Sequence, residues 1–179
     1  MKITVITDLH LEFDKKPTLK LEGGDILLLP GDVCVAAYLA PHRTDKDAIK
    51  HRAVCAAFFH EECVKYKRVY YILGNHEHYH GVFDTTADVM REFLKGTNVT
   101  LLDNEFIDLG NWNLFGGTLW TDYDHDNWFA KQAAKNGMSD HQIIGKMRGD
   151  IYGNFVPDDA LAVLGEVRQR FGIPVLTDI

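Results

Sequence analysis

The sequence predicts an α/β fold in which short buried strands end in polar loops. Three segments share one pattern, an apolar run that ends in polar residues: KITVITDLH at 2–10, DILLLPGDV at 25–33 and RVYYILGNHE at 68–77. Their apolar residues are continuous rather than alternating, which is typical of strands buried on both faces of a parallel sheet. Because a helix is predicted between the second and third runs, the two strands form a βαβ unit and should be parallel, with a right-handed crossover.

The helix of this unit is predicted within residues 45–67. Its apolar residues recur at roughly helical spacing; they are Ile49, Val54, Ala57, Phe58 and Val64. A second helix is predicted at 83–96, with Gly96 as its stop. A third is predicted at 157–171, where Pro157 and the acidic residues beside it are typical of a first helical turn.

The remaining segments predict further strands. Residues 98–102, 105–110 and 112–117 lie close together along the chain, separated by Asn and Gly turns, which favours antiparallel strands. Residues 172–179 have the pattern of one last strand. Residues 126–149 are polar and helix-prone, without a clear boundary.

Length and composition describe an ordinary globular protein. The 179 residues, 46% of them hydrophobic and 25% charged, fit one domain over 1–179 with its own core. A net charge of -7 argues against binding of nucleic acid through a basic surface. It does not exclude a metal enzyme that acts on phosphates, since bound cations supply positive charge locally. Neither a GxGxxG nor a GxxxxGK[ST] sequence is present, which weakens the alternative of a nucleotide-binding α/β protein.

The cysteines and the apolar runs predict a cytoplasmic protein. Three cysteines, Cys34, Cys55 and Cys63, form no CxxC pair and are odd in number, which favours a reducing compartment. The first apolar run is too short for a signal peptide, and no run approaches the roughly 20 apolar residues of a membrane span. No membrane association is expected.

The polar ends of the three predicted strands carry metal-binding chemistry. If the strands are neighbours, Asp8, His10, Asp32, Asn75 and His76 lie along one edge of the sheet, which is where open α/β folds bind ligands. Carboxylate, imidazole and amide oxygen together suit Mn²⁺, Fe or Zn²⁺. A carboxylate between two ions could bridge them and form a centre for displacement at phosphorus.

Three motifs in this order resemble those of the calcineurin-like metallophosphoesterases. They are D-x-H at Asp8–His10, G-D at Gly31–Asp32 and G-N-H-E at Gly74–Glu77. GTLWTDYD at 117–124 and GMSD at 137–140 are similar to a bacterial and phage branch of that family. The resemblance implies an α/β sandwich with mixed central sheets and flanking helices. It also implies hydrolysis of a phosphomonoester or phosphodiester by metal-activated water.

The resemblance also implies a role for each site residue. Asp8 and His10 would hold one metal ion, Asp32 would bridge to a second, and Asn75 would hold that second ion. His76 would contact the phosphate and protonate the leaving oxygen. One or two divalent ions are expected, Mn²⁺ first, with Fe or Zn²⁺ as alternatives. The expected partner is a phosphate-ester substrate, and nucleic acid is expected only in that role.

The family's later histidines, in T-H-H and G-H-x-H motifs, have no counterpart in this sequence. The chain is therefore expected to hold the N-terminal portion of the family fold, with Asp178 about where one metal-binding histidine would stand. A site with one metal ion on Asp8, His10 and Asp32 is the conservative alternative. Two others are a catalytically inactive member that binds a ligand or partner, and a site completed by a second copy or another subunit.

The remaining polar residues are expected to be structural. Glu77 is predicted to support the site or cap the turn rather than bind metal, and His78 and His80 to lie at its rim. Five other histidines are predicted at the surface: His42, His51, His60, His125 and His141. The cysteines are predicted to be core or near-surface thiols.

Overall fold

A parallel sheet of four strands organises the protein. The computed structural model describes residues 1–13 and 19–173. In this part of the chain the strands are ordered β1-β2-β3-β4, all parallel, with bounds β1 Ile3–Val5, β2 Gly24–Pro30, β3 Tyr66–Ile72 and β4 Val99–Leu101. The α/β fold with a parallel sheet and flanking helices is therefore confirmed, and each of the three predicted strand ends lies at the same edge.

The fourth strand corrects one prediction. The sequence favours antiparallel pairing of residues 98–102 with the two strands after them, yet Leu101 pairs with Tyr71 in a parallel ladder. The reason is the helix between β3 and β4, because a crossover helix returns the chain in the same direction. The next two segments do form the predicted antiparallel hairpin, with β5 at Glu105–Asp108 and β6 at Asn113–Gly116.

Six helices and a second hairpin complete the described elements. The helices are α1 Lys46–Ala57, α2 Phe83–Phe93, α3 Tyr123–Asp126, α4 Trp128–Gly137, α5 Asp140–Ile143 and α6 Pro157–Phe171, and the hairpin pairs β7 Gly145–Arg148 with β8 Ile151–Asn154. Short irregular helical turns lie at Ala36–Tyr38, Phe58–Glu62, Cys63–Lys65 and His76–His78. The last predicted strand, 172–179, lies outside the described residues beyond Ile173.

Helix α1 lies where the sequence predicts, but its buried face differs. Asp45 caps its first turn by accepting a hydrogen bond from the Ala48 amide. Ile49 is 55% exposed, whereas His51, predicted at the surface, is buried at 5% exposure. The His51 ring turns inward because its Nε2 accepts a hydrogen bond from the Val35 amide.

Apolar side chains cover both faces of the sheet. On one face, Leu27, Leu29 and Tyr71 pack with Phe58 and Phe59 from the turn that follows α1. On the other face, Ile26, Tyr70 and Leu102 pack against the β5–β6 hairpin. A further cluster, of Tyr79, Trp120, Ile144, Phe155 and Leu164, holds the second hairpin and α6 beside the sheet edge. No helix in the described ranges has the length and apolar character needed to cross a membrane.

Two histidines of this last region are buried, although the sequence predicts His141 at the surface and His78 at the rim of the site. His141 is 3% exposed, and its Nε2 lies 3.0 Å from the Tyr123 hydroxyl. His78 is also 3% exposed and stacks on Phe83, with ring centroids 4.4 Å apart. Burial, with the nearby Lys146 ammonium, lowers the pKa of His78 to about 3.

His78 should make the protein sensitive to mild acid. Its folded-state pKa of about 3 lies below the ordinary value of 6.5, so protonation favours the unfolded chain. The stabilisation is complete above pH 6.5 and is lost as the pH falls, by about 2 kcal/mol at pH 5. Urea unfolding at pH 7 and pH 5 should show this loss in the wild type and a smaller loss in His78→Phe. The exposed-site control His60→Gln should behave as the wild type, and equal losses in all three proteins would contradict the prediction.

Candidate metal centre

The segment after β1 lies directly beside the segment after β2. The Asp8 amide donates to the Gly31 carbonyl at 3.3 Å, and the His10 amide donates to the Asp32 carbonyl at 3.0 Å. The Leu11 amide then donates to the Val33 carbonyl at 2.9 Å. These bonds extend the β1–β2 pairing past the strand ends and hold the first two motifs side by side.

Three of the predicted metal-binding residues have a left-handed backbone. The φ angles are 55° at Asp8, 46° at His10 and 53° at Asp32. Non-glycine residues adopt this conformation rarely, and each such residue costs of order 1–3 kcal/mol that the surrounding structure must offset. Strain of this kind is typical of functional sites, and here it occurs at three residues whose chemistry independently marks them as metal ligands.

The turns bring carboxylate and imidazole groups together. His10, Asp32 and His76 each offer a ligand atom within 4.8 Å of the other two. The rings of His10 and His76 are 4.3 Å apart, and the His76 amide donates to Asp32 Oδ1 at 3.0 Å. Asp8 lies at the margin, with its side chain 60% exposed and its Oδ1 3.9 Å from His10 Nε2. The described residues therefore bring three of the five predicted site residues together, with Asp8 beside His10 at the margin.

Asn75 faces a different space. Its Nδ2 donates to the Tyr79 hydroxyl at 3.0 Å. It lines a cavity of about 470 Å³ together with Gly74, Thr118 and Asp140.

Sequence reasoning did not identify Glu12, which joins the two site histidines. Its Oε1 lies 3.1 Å from His10 Nδ1 and 2.7 Å from His76 Nδ1. A carboxylate is an acceptor only, so each Nδ1 carries the proton and each Nε2 keeps its lone pair. One carboxylate therefore sets the tautomer of both rings. The signal in the sequence was the two-residue spacing, since Asp8, His10 and Glu12 alternate along DLHLE.

Glu77 is a fully buried anchor for the loops that carry the site. Its Oε1 accepts from the amides of Val33 and Cys34 and from the Tyr71 hydroxyl, at 2.7, 3.2 and 2.6 Å. Its Oε2 accepts from the amides of Asp32 and Gly74, at 3.0 and 2.6 Å. Burial raises the pKa of Glu77, while the donors from Tyr71, Val33 and Gly74 act in the opposite direction. Glu77 thus holds the loop after β2 to the loop after β3, as its predicted supporting role requires.

The same two loops approach closely at a pair of glycines. A Cβ on Gly74 would lie 2.2 Å from Asp32 Oδ1, and one on Gly31 would lie 2.8 Å from Gly74 Cα. Gly31 also has a φ of 94°, which favours glycine. The G-D and G-N-H-E motifs therefore need glycine for this contact, and not only for a turn.

A cavity of about 330 Å³ opens beside His76. The residues on its wall include the acidic Glu12 and Asp47, the aromatic Phe13 and Tyr38, and the basic Lys50. His80 is exposed and lies on this wall, so its predicted place at the rim is confirmed. The cavity offers room next to the site for an ester group.

The site has two imidazoles and a carboxylate at the edge of the sheet where the parallel strands end. This arrangement is typical of metal-dependent hydrolytic enzymes. The chain belongs to the calcineurin-like phosphoesterase family, whose model matches residues 1–173. Membership of this family indicates metal-dependent hydrolysis of phosphate esters.

One relative comes from a virus. The chain is similar to uncharacterized protein L509 of Acanthamoeba polyphaga mimivirus, with 24% identity over 166 residues. The alignment covers 86% of this chain and 55% of the viral protein, so the chain spans about half the length of that relative.

Proposed function

We propose that this protein hydrolyses a phosphomonoester or phosphodiester with one or two divalent metal ions, Mn²⁺ first among them. The observation that carries the proposal is the convergence of His10, Asp32 and His76 on strained, tightly bonded loops. Their donor set of imidazole nitrogen and carboxylate oxygen fits Mn²⁺, Fe or Zn²⁺. Asp8 would complete a first ion site, Asp32 would face both ions and Asn75 would serve the second.

Each side chain has a distinct task in this proposal. A bound divalent ion would activate water and offset charge on the phosphoryl oxygens. Glu12 fixes His10 so that its Nε2 faces the ion site. It also orients His76, whose Nε2 would contact a phosphoryl oxygen and, when protonated, donate its proton to the leaving oxygen. Lys50, on the wall of the 330 Å³ cavity, would add positive charge near the bound ester.

We further propose that the matched region acts as one domain, because strands β2 and β3 contribute to the apolar clusters on both faces of the sheet. A cytoplasmic location would suit the three cysteines, which are all buried and unbridged. A second copy or another subunit could still cover part of the site, and gel filtration beside the activity assay would reveal it.

The first test is hydrolysis of bis-p-nitrophenyl phosphate by the purified chain with added Mn²⁺. We expect turnover that chelation by EDTA removes and Mn²⁺ restores. Asp32→Asn removes a charge from the ion site and should lower both Mn²⁺ affinity and turnover at least about 10-fold, as losses near metal ligands typically do.

Asp88→Asn is the matched control, because Asp88 is an exposed aspartate on α2. Its carboxylate forms an ion pair with Arg91 at the surface, with an N–O distance of 3.4 Å. It should keep wild-type turnover. A folded wild-type chain no faster than Asp32→Asn would overturn the enzyme proposal and favour a binding member of the family.

A further inference from the structure

A second cluster of metal-binding side chains lies behind the first. Cys34, His51 and Cys55 each place a ligand atom within 4.8 Å of the other two, and all three are buried. The family motifs include none of the three, and the hydrolytic mechanism uses none of them.

Two elements contribute to this thiol cluster, defined here as Cys34, His51 and Cys55. His51 and Cys55 are one turn apart on α1, with Cys55 Sγ 3.5 Å from His51 Nε2. Cys34 belongs to the loop after β2, and its Sγ lies 3.8 Å from the Tyr71 hydroxyl on β3. The packing of α1 on the sheet therefore brings together donors that are 17 and 21 residues apart in sequence.

We propose that the thiol cluster is a binding site for a thiophilic metal ion, Zn²⁺ or Cu⁺. Two cysteine sulfurs and one imidazole nitrogen are the donors that these ions prefer, whereas Mn²⁺ and Mg²⁺ prefer oxygen. An ion bound at His51 Nε2 would replace the hydrogen bond that this nitrogen accepts from the Val35 amide. The set therefore selects a different ion from the one expected at Asp32. It does not depend on the proposed phosphoesterase activity.

Charge balance favours Zn²⁺ in so dry a place. Two thiolates cancel the double charge of Zn²⁺, and a neutral imidazole adds none, so no net charge is buried. Burial alone would raise the pKa of Cys55, but hydrogen bonds with Cys34 and His51 lower it to about 7. Cys55 is therefore the sulfur more readily available as a thiolate. The hydrogen bond with Cys55 and burial raise the pKa of Cys34, whose proton would leave only as the ion binds.

The cavity beside His76 is the route by which an ion would reach the cluster. His51 and Val35 line that cavity, and Cys34 precedes Val35 in the chain. An ion could enter by this route, and a water molecule from the cavity could supply the fourth ligand that Zn²⁺ favours.

A bound ion would fasten α1 to the loop that carries Asp32. Cys34 is two residues beyond Asp32, and its amide already donates to Glu77. The ion would add a link from the same loop to the helix and so stabilise the folded chain against heat.

Titration with Co²⁺ tests the site by its spectrum. Under a phosphine reductant, the wild-type chain should develop the near-ultraviolet band of thiolate-to-cobalt charge transfer, which nitrogen and oxygen ligands do not produce. Added Zn²⁺ should then abolish the band by competition. A parallel titration against a colorimetric Cu⁺ chelator distinguishes Cu⁺ from Zn²⁺ as the tighter ligand.

The three cysteines provide matched variants. Cys34→Ala and Cys55→Ala should each lose the band and bind Zn²⁺ at least about 100-fold more weakly, since a ligand is removed rather than a supporting residue. Cys63→Ala removes an equally buried thiol outside the cluster and should keep both. The band should also persist in Asp32→Asn, because Asp32 is not part of the thiol cluster. This holds whether or not the substitution changes hydrolysis, so the two proposals can fail separately.

Two results would overturn the site. One is a reduced wild-type chain without the band at saturating Co²⁺. The other is a band that survives in Cys55→Ala with circular dichroism unchanged. The first result is measured on the wild-type chain. The proposal can therefore be tested even if a cysteine variant fails to fold.

Discussion

Replacement of Glu77 by alanine is expected to lower the free energy of unfolding by about 5 kcal/mol or more, because five donors lose their buried acceptor. The side chain is fully buried and accepts five hydrogen bonds. Alanine would leave four backbone amides and the Tyr71 hydroxyl without this acceptor, and each unsatisfied buried donor costs about 1–3 kcal/mol. Guanidinium unfolding followed by circular dichroism measures the loss.

Glu62→Ala is the matched comparison, because Glu62 is another buried glutamate, at 3% exposure. Its partners are the Leu21 amide and the ammonium groups of Lys20 and Lys65, at 2.6, 3.3 and 2.6 Å. The Lys20 side chain is 72% exposed and the Lys65 side chain 37%. Because both ammonium groups can turn to water, we expect a smaller loss than at Glu77. A Glu77→Ala protein within about 1 kcal/mol of the wild type would refute the anchoring role.

Much of the sheet and of the site could be predicted because both depend on local patterns. Continuous apolar runs identify β1, β2 and β3, and parallel strands end at the same edge. The pattern therefore places Asp8, His10, Asp32 and His76 together without any knowledge of their side-chain geometry. The predicted helix at 157–171 has the bounds of α6, and its start could be predicted because Pro157 is typical of a first helical turn.

The contacts that sequence reasoning missed depend on tertiary packing. Glu12 joins His76 across 64 positions of sequence, and no spacing rule reports such a pair. His51 and Cys55 do have helical spacing, but only the approach of Cys34 from another element makes them a cluster. His78 has a polar side chain and is therefore predicted at the rim. In the structure its ring is buried and stacks on Phe83, and this contact offsets part of the cost of burying a polar group.

Replacement of His76 by alanine is expected to lower turnover of the phosphodiester by about 10²- to 10⁴-fold, the range typical of a general acid. Mn²⁺ affinity should fall much less if Asp8, His10 and Asp32 hold the ion and His76 acts on the ester. Calorimetric Mn²⁺ titration beside the kinetic assay separates the two effects. Equal losses of affinity and turnover would instead make His76 a metal ligand, which its place in the compact cluster with His10 and Asp32 allows.

Glu12 should act through the histidines that it orients. Glu12→Gln keeps the side-chain shape, but its neutral amide oxygen is a weaker acceptor than the carboxylate Oε1 that both rings share. Each Nδ1–H is then held less firmly, and we expect turnover to fall about 10- to 100-fold. Glu22→Gln, at a glutamate whose side chain is 88% exposed, is the control and should be neutral.

The double variant decides how Glu12 works. If its effect passes through His76, the Glu12→Gln substitution should cost little further turnover in a His76→Ala background, because residues that act as one unit are not additive. If its effect passes through His10, the fold-losses in turnover of the two substitutions should multiply, which means that they are additive in free energy. Mn²⁺ affinity should then also fall in both backgrounds. Additive losses with unchanged Mn²⁺ affinity fit neither route and would show that the carboxylate bridging the two rings does not serve them.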